Sequence, residues 1–340
     1  MLLGSVIVAP KLGRCRSPLL AAALVAASLA LSGSGRAAQF SAATDLVEVY
    51  VSVSDSAGRP VTGLPREAFT VHEDGVLQSI TTFAAGTMPL ALGVAVDRSF
   101  SMAGRPLATA KAGALRLLDS LEPGDRTMVV AVGSRVQTLV PLSAERQQAR
   151  EVVSSLTPWG TSPLGDATIA AIASVAEGSG RRALALFTDG RERYNEAERA
   201  AVLDRVRRGS VLVYPVAVGG QPTPLLVELA VASGGRSFAA RDEREAGRAA
   251  DALAEDLRHQ YLLGYAPTRP PDQGAEVWRS IRVAVSRPGV TIRARDGYFA
   301  GRRHDEAASR QVVASKRQGC HGGTAEPPRN REFSATSAER

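Results

Sequence analysis

Between residues 38 and 300 the chain has no cysteine; its two cysteines are Cys15 and Cys320. That absence excludes disulfide staples, thiolate nucleophiles and Cys-ligated metals from the central span. Histidine is scarce too, with four in all. His304 and His321 fall beyond residue 300, while His72 sits in an expected strand and His259 at an expected helix end, both read as surface or interface positions. The sequence holds no Gly-Lys-Ser/Thr phosphate loop, no Gly-x-Ser-x-Gly elbow and no His-Glu-x-x-His helix. With no evident general base, an enzyme built on this chain would have to work through metal-bound water alone.

Long hydrophobic runs are also missing. The apolar stretch LLAAALVAASLAL covers residues 19–31, short of the roughly 20 residues that cross a bilayer. Lys11, Arg14 and Arg16 precede it, and Gly35 and Ala37 flank Arg36. Charged, apolar, then small is the order of a secretory signal, so residues 1–37 are expected to be removed and the mature chain to be secreted or periplasmic, without a membrane span. Residues 301–340 lack apolar periodicity and are rich in polar, Gly and Pro residues, a composition expected to stay disordered.

The formal charge of +7 comes from these ends. Residues 1–37 carry four basic and no acidic residues, and residues 301–340 carry eight basic and five acidic, leaving 29 of each sign for residues 38–300. A charge-balanced core does not support a general basic face for nucleic acid.

What is present changes pattern twice. Residues 44–86 read as short period-two runs (LVEVYVSVSD, AFTVHED, SITTF) separated by Gly and Pro, the pattern of antiparallel strands. Residues 88–260 alternate continuous apolar strands (PLALGVAV, RTMVVAV, RALALFT, SVLVYPVAV) with helical segments, predicting an α/β domain with a doubly wound, mostly parallel sheet. Residues 261–300 return to strands (YLLGY, VWRSIRVAV, VTIRARDGYF) around the Pro-rich TRPPDQG. These are expected to pair with residues 44–86 in one small β-sandwich, into which the α/β domain is inserted.

In doubly wound sheets, ligands bind outside the carboxyl ends of the strands. The strand LALGVAV ends at Asp97, followed by Ser99 and Ser101; ALALF is followed by Thr188, Asp189 and Gly190; and the loop WGTSPLGDAT places Thr161 before a helix. Two carboxylates and three hydroxyls form an all-oxygen set suited to a hard divalent cation, Mg²⁺ foremost with Mn²⁺ or Ca²⁺ as alternatives. Plainer readings exist: the serines could cap a helix, and Asp189 could serve only as a turn residue. Arg98, Arg191 and Arg193 fall on the same rim, as ordinary solvated charge or as positive potential favouring an acidic partner. Phe100 is either a loop anchor turned inward or an exposed contact.

These residues resemble the metal-ion-dependent adhesion site of the von Willebrand factor type A domain, written Asp-x-Ser-x-Ser, then Thr, then Asp followed by Gly. Asp97, Ser99, Ser101, Thr161 and Asp189 match all five elements over a resemblance spanning roughly residues 88–260. The flanking GRPVTGLPREAFTVHEDG and YLLGYAP resemble a bacterial extracytoplasmic subfamily. The resemblance implies that Asp97 and Asp189 engage the metal directly or through water while the three hydroxyls complete its shell. Arg98 and Phe100 depart from the small spacer residues common in the family. A haloacid-dehalogenase-type phosphatase would need Asp where Ser99 stands. The expectation is therefore a metal-dependent, non-enzymatic protein-binding module that presents a cation to an acidic residue of a partner. A metal-stabilised scaffold and a metal-dependent hydrolase are the alternatives.

Overall fold

The computed structural model describes residues 46–161, 164–191, 196–269 and 276–301. The signal expected at residues 1–37 and nearly all of the tail expected at 301–340 lie outside them.

The central layer is a six-stranded sheet of β5 (Leu90–Asp97), β6 (Arg126–Val132), β7 (Val136–Ser143), β8 (Arg181–Thr188), β9 (Leu212–Val218) and β10 (Phe238–Ala240), in the order β10-β9-β8-β5-β6-β7. All neighbours are parallel except β7, which turns back antiparallel on β6 at the sheet edge. The sheet is thus mostly parallel, as the continuous apolar strands require.

Both faces are covered by helices. On one face, α1 (Arg105–Asp119), α2 (Arg146–Ser155) and α6 (Glu243–Arg258) direct Leu117, Leu118, Val153 and Leu253 onto Leu92, Val94 and Val96 of β5. On the other, α3 (Leu164–Ala176), α4 (Glu196–Arg208) and α5 (Pro224–Ser233) set Ile172, Val175, Val206 and Leu229 against Ala95, Met128 and Leu186. Every residue of β5 is buried, including the terminal Asp97. Neighbours of β5 in the sheet are β6 and β8, whose chains lead to opposite edges. The β5/β8 boundary is therefore the topological switch point, where the crevice of such sheets opens.

The flanking strands form two further sheets. One has the order β13-β1-β11-β4 and the other β14-β12-β2-β3, from β1 (Val47–Ser54), β2 (Phe69–Glu73), β3 (Val76–Gln78), β4 (Ile80–Ala85), β11 (Tyr261–Tyr265), β12 (Val277–Val285), β13 (Thr291–Arg293) and β14 (Gly297–Ala300). Strands from before the α/β layer pair antiparallel with strands from after it, β1 with β11 and β2 with β12. Val49, Val51, Phe69, Val71, Leu263 and Ile281 join both sheets in one apolar cluster. The stretch VTIRARDGYF, read from sequence as one strand, is divided between the sheets. β13 pairs with β1 and β14 pairs with β12, while the Ile281 N–H donates to the Asp296 carbonyl at the break.

Two buried polar networks hold these layers. Within the sandwich, Glu73 accepts from Arg279 Nη1 at 2.9 Å and from the Tyr265 and Tyr298 hydroxyls at 2.8 Å each. Burial first, and then the bond to Glu73, push both phenols above the ordinary tyrosine range. Between sandwich and α/β layer, Asp256 of α6 accepts from Tyr214 of β9 at 2.8 Å and from Arg293 of β13, and Gln260 donates to both Ser52 and Tyr214.

Removing one member of a buried pair leaves an uncompensated charge. The side chains of Arg279 and Glu73 are 0% and 3% exposed, so Arg279→Leu is expected to cost about 3–5 kcal/mol, read as a lower urea midpoint at unchanged slope. A loss under about 1 kcal/mol, the scale of an exposed pair, would show that Glu73 does not depend on this cation.

Candidate functional site

The loop after β5 turns immediately. Asp97 is 1% exposed, and each of its carboxylate oxygens receives a protein donor. Oδ1 accepts from the Ser99 N–H at 2.9 Å and Oδ2 from the Thr188 hydroxyl at 2.8 Å. Thr188 in turn accepts from the Gly190 N–H at 3.0 Å. A relay from Gly190 through Thr188 to Asp97 therefore ties the end of β8 to the end of β5. Sequence reasoning placed Thr188 at the strand end beside Asp189 but gave it no role. Its signal was positional: it is the last residue of the adjacent parallel strand, paired next to the strand end that carries Asp97.

Ser99 and Ser101 point hydroxyl to hydroxyl at 3.1 Å, Ser99 buried and Ser101 exposed. The helix-capping alternative is not realised, since α1 starts after Gly104 with no side-chain cap and Ser99 caps nothing through its side chain. The turn alternative for Asp189 is realised at one oxygen. The Arg191 N–H donates to Asp189 Oδ1 at 3.1 Å, whereas Oδ2 is buried without a hydrogen-bond partner. Among the described residues its ion-pair partner is Arg191 Nε at 3.7 Å, beyond hydrogen-bond reach.

Thr161 is exposed and lies in the loop between α2 and α3. That loop is bonded to the one carrying the serines: the Phe100 N–H donates to the Gly160 carbonyl at 2.9 Å, and the Trp159 N–H to the Arg98 carbonyl at 2.7 Å. Gly160 has φ +75, and a Cβ there would lie 1.8 Å from Ser134 Oγ, the atom that accepts from the Thr161 N–H at 3.3 Å. Only glycine fits this crossing. Asp97, Ser99, Ser101 and Asp189 thus sit on the β5/β8 strand ends, linked through Thr188, and backbone bonds bring the loop of Thr161 to them.

The rim differs in detail from ordinary solvated charge. Arg98 is half-buried, with its guanidinium 5.0 Å from the Trp159 ring centroid and one nitrogen donating to Gln137 at 2.9 Å. Arg191 is largely exposed to solvent, with a side chain 74% exposed. Phe100 is 67% exposed, which settles its two readings in favour of the surface position. Arg193 lies outside the described residues. Trp159, two residues before Thr161, was not singled out from sequence.

Residues 92–192, from β5 to just past Asp189, match the sequence model of the von Willebrand factor type A domain. This segment belongs to the von Willebrand factor type A family. The domain family is one of protein-interaction modules. A relative from Synechocystis sp., the uncharacterized protein sll0103, is 32% identical over 127 residues, covering 35% of this chain and 29% of its own length. The chain thus matches less than a third of that relative. Among solved structures, a von Willebrand factor type A protein from Catenulispora acidiphila shares 15% identity at a TM-score of 0.45, over 76% of this chain and 75% of that one. BatB from Bacteroides thetaiotaomicron shares 20% identity at 0.42, over 49% and 98%. An aerotolerance-related membrane protein from Bacteroides fragilis shares 17% at 0.38, over 48% and 98%.

Thr188→Val keeps the shape of the side chain and removes the donor to Asp97 and the acceptor for Gly190. Stability is expected to fall by about 1–3 kcal/mol in chemical unfolding at neutral pH. Thr188→Ser, which retains the hydroxyl, is expected to recover most of that loss. No loss in Thr188→Val, or a larger loss in Thr188→Ser than in Thr188→Val, would show that packing of the methyl group outweighs the hydroxyl relay.

Proposed function

We propose that this chain is an extracytoplasmic protein-binding module whose von Willebrand factor type A domain holds a divalent cation at the β5/β8 strand ends and offers it to an acidic residue of a protein partner. The observation that carries the reading is Asp189 Oδ2, a buried carboxylate oxygen with no hydrogen-bond partner, just past the end of β8 and so beside the β5 end that carries the buried Asp97. Leaving such a group unmatched is costly, and a cation bound there would remove the cost. Among the described residues, no group of three or more His, Cys, Asp or Glu side chains is arranged for a metal. A cation at this edge would therefore draw on Asp97 and Asp189 together with the hydroxyls of Ser99, Ser101 and Thr161, and on water.

Oxygen-only donors favour Mg²⁺, with Mn²⁺ or Ca²⁺ compatible. Two carboxylates neutralise a divalent ion and leave little net charge, so an added carboxylate from a partner is tolerated there. Arg191 adds positive potential beside it. The site offers no evident general base, which favours binding over turnover. Among the described residues no helix is long and apolar enough to cross a membrane, and the signal-like residues 1–37 favour export.

Asp97→Ala and Asp189→Ala are each expected to abolish tight Mg²⁺ or Mn²⁺ binding in isothermal calorimetry while preserving the cooperative unfolding transition. Unchanged cation binding in Asp97→Ala would show the site to be misassigned. For export, N-terminal sequencing of the protein made in its native host should begin near Ala38. A mature chain that still carries residues 19–31 would contradict that assignment.

A further inference from the structure

The surface beside the two serines is more apolar than an acid-binding site requires. Phe100, at 67% exposure, is the most exposed large hydrophobic residue among those described, and it stands between Ser99 and Ser101. Trp159 is the second exposed aromatic there, at 37%. The bonds from Phe100 N–H to Gly160 and from Trp159 N–H to Arg98 align residues 98–100 alongside 159–160, so the two exposed aromatic residues stand on paired loops. Aromatic residues are only 5% of the sequence and tryptophans number two. The other tryptophan, Trp278, packs on Phe299 and under Arg207.

The Trp159 ring is held in place before anything binds. Arg98 lies over it, itself anchored on Gln137. On the β6 side the chain comes so close that a Cβ on Gly133 would fall 2.5 Å from the Trp159 carbonyl oxygen and 2.9 Å from its ring carbon Cε3. A fixed, partly exposed indole loses little conformational freedom on association, which is the property of residues that dominate binding energy at interfaces. An exposed phenyl ring in contact range of water gains by being covered.

We infer that this surface selects, within a partner protein, an acidic residue with an aromatic or aliphatic residue next to it in sequence, the acid serving the cation and its apolar neighbour covering Phe100 and Trp159. The inference rests on the cation-dependent reading above. It commits to such a segment because a wholly acidic one would leave both rings in water. A wholly apolar one would supply no group for the Asp97/Asp189 edge and no charge toward the solvent-exposed guanidinium of Arg191.

The test uses synthetic nine-residue peptides with a central Asp flanked by Phe, Leu or Ser, titrated by fluorescence anisotropy against the mature full-length chain in Mg²⁺. The Phe- and Leu-flanked peptides are expected to bind about tenfold more tightly than the Ser-flanked one. In Phe100→Ser, which alters an exposed side chain, the preference is expected to fall below about twofold while chelator-sensitive binding persists. Trp159→Leu should act in the same direction, and in a Trp278→Phe background the emission of Trp159 should change on addition of the Phe-flanked peptide. An undiminished preference in both Phe100→Ser and Trp159→Leu, or no preference in the unaltered chain, overturns the inference and leaves the cation reading standing. So does the absence of binding by every peptide up to about 1 mM when calorimetry still detects the cation. Binding that survives chelator and replacement of the central Asp by Asn overturns the cation reading, and the inference with it.

Discussion

The carboxylate of Asp97 is buried at the end of the central strand, and much of the local structure follows from having to replace its lost water. A carboxylate removed from solvent needs donors at both oxygens. The first is the N–H of Ser99, which requires the chain to turn directly after β5. The second is the hydroxyl of Thr188, which requires β8 to lie parallel beside β5 and to end in a residue with a short donor. Thr188 is fixed from behind by Gly190 N–H, so the turn that carries Asp189 is set by the same demand. A second carboxylate then stands on the neighbouring strand end with one buried oxygen unmatched. Two such charges repel unless something positive lies near them, and Arg191 supplies only a partner at a distance.

The α/β layer is also fastened through the strands that precede and follow it. Because β1 pairs with β11, and β2 with β12, the segments before and after the α/β layer close on each other. The layer between them is thereby held at both of its chain ends. Asp256, Tyr214, Arg293, Gln260 and Ser52 connect α6 and β9 to the sandwich through buried hydrogen bonds. α4 adds a second line of attachment on the opposite face, with Arg207 and Arg208 over Trp278 and Phe299.

Much of the layer order was legible before any coordinates. Runs such as LALGVAV and ALALF are apolar at every position because both faces of a central parallel strand are covered, and period alone reports that. Less legible was β7, whose exposed positions and antiparallel direction reflect its place at the sheet edge. The division of residues 291–300 between two sheets was hidden as well. Their alternation is that of one strand, and only the bond from Ile281 to the Asp296 carbonyl and the separate pairing with β1 and β12 break it. The helices at Arg146–Ser155 and Pro224–Ser233 are short; the first buries only Ala149 and Val153, and the second is apolar nearly all round and so carries no amphipathic stripe.

The sequence by itself determined which residue types stand at the ends of β5 and β8, because strand boundaries and the identities of Asp97, Ser99, Ser101, Thr161 and Asp189 are local properties read along the chain. It also determined that the chemistry available there is that of oxygen donors, since no cysteine and no clustered histidine accompanies them. Tertiary structure alone decided which of those oxygens are already matched. Thr188 turned to Asp97, Ser99 to Ser101 and Asp189 Oδ1 to a backbone amide, leaving Oδ2 open. It decided too that Phe100 faces outward and that Arg98 lies on Trp159 rather than in water. Those outcomes depend on loops distant in sequence meeting at one sheet edge, where steric limits at Gly133 and Gly160 and the hydrogen bonds between residues 98–100 and 159–160 choose one arrangement among many that the local sequence permits.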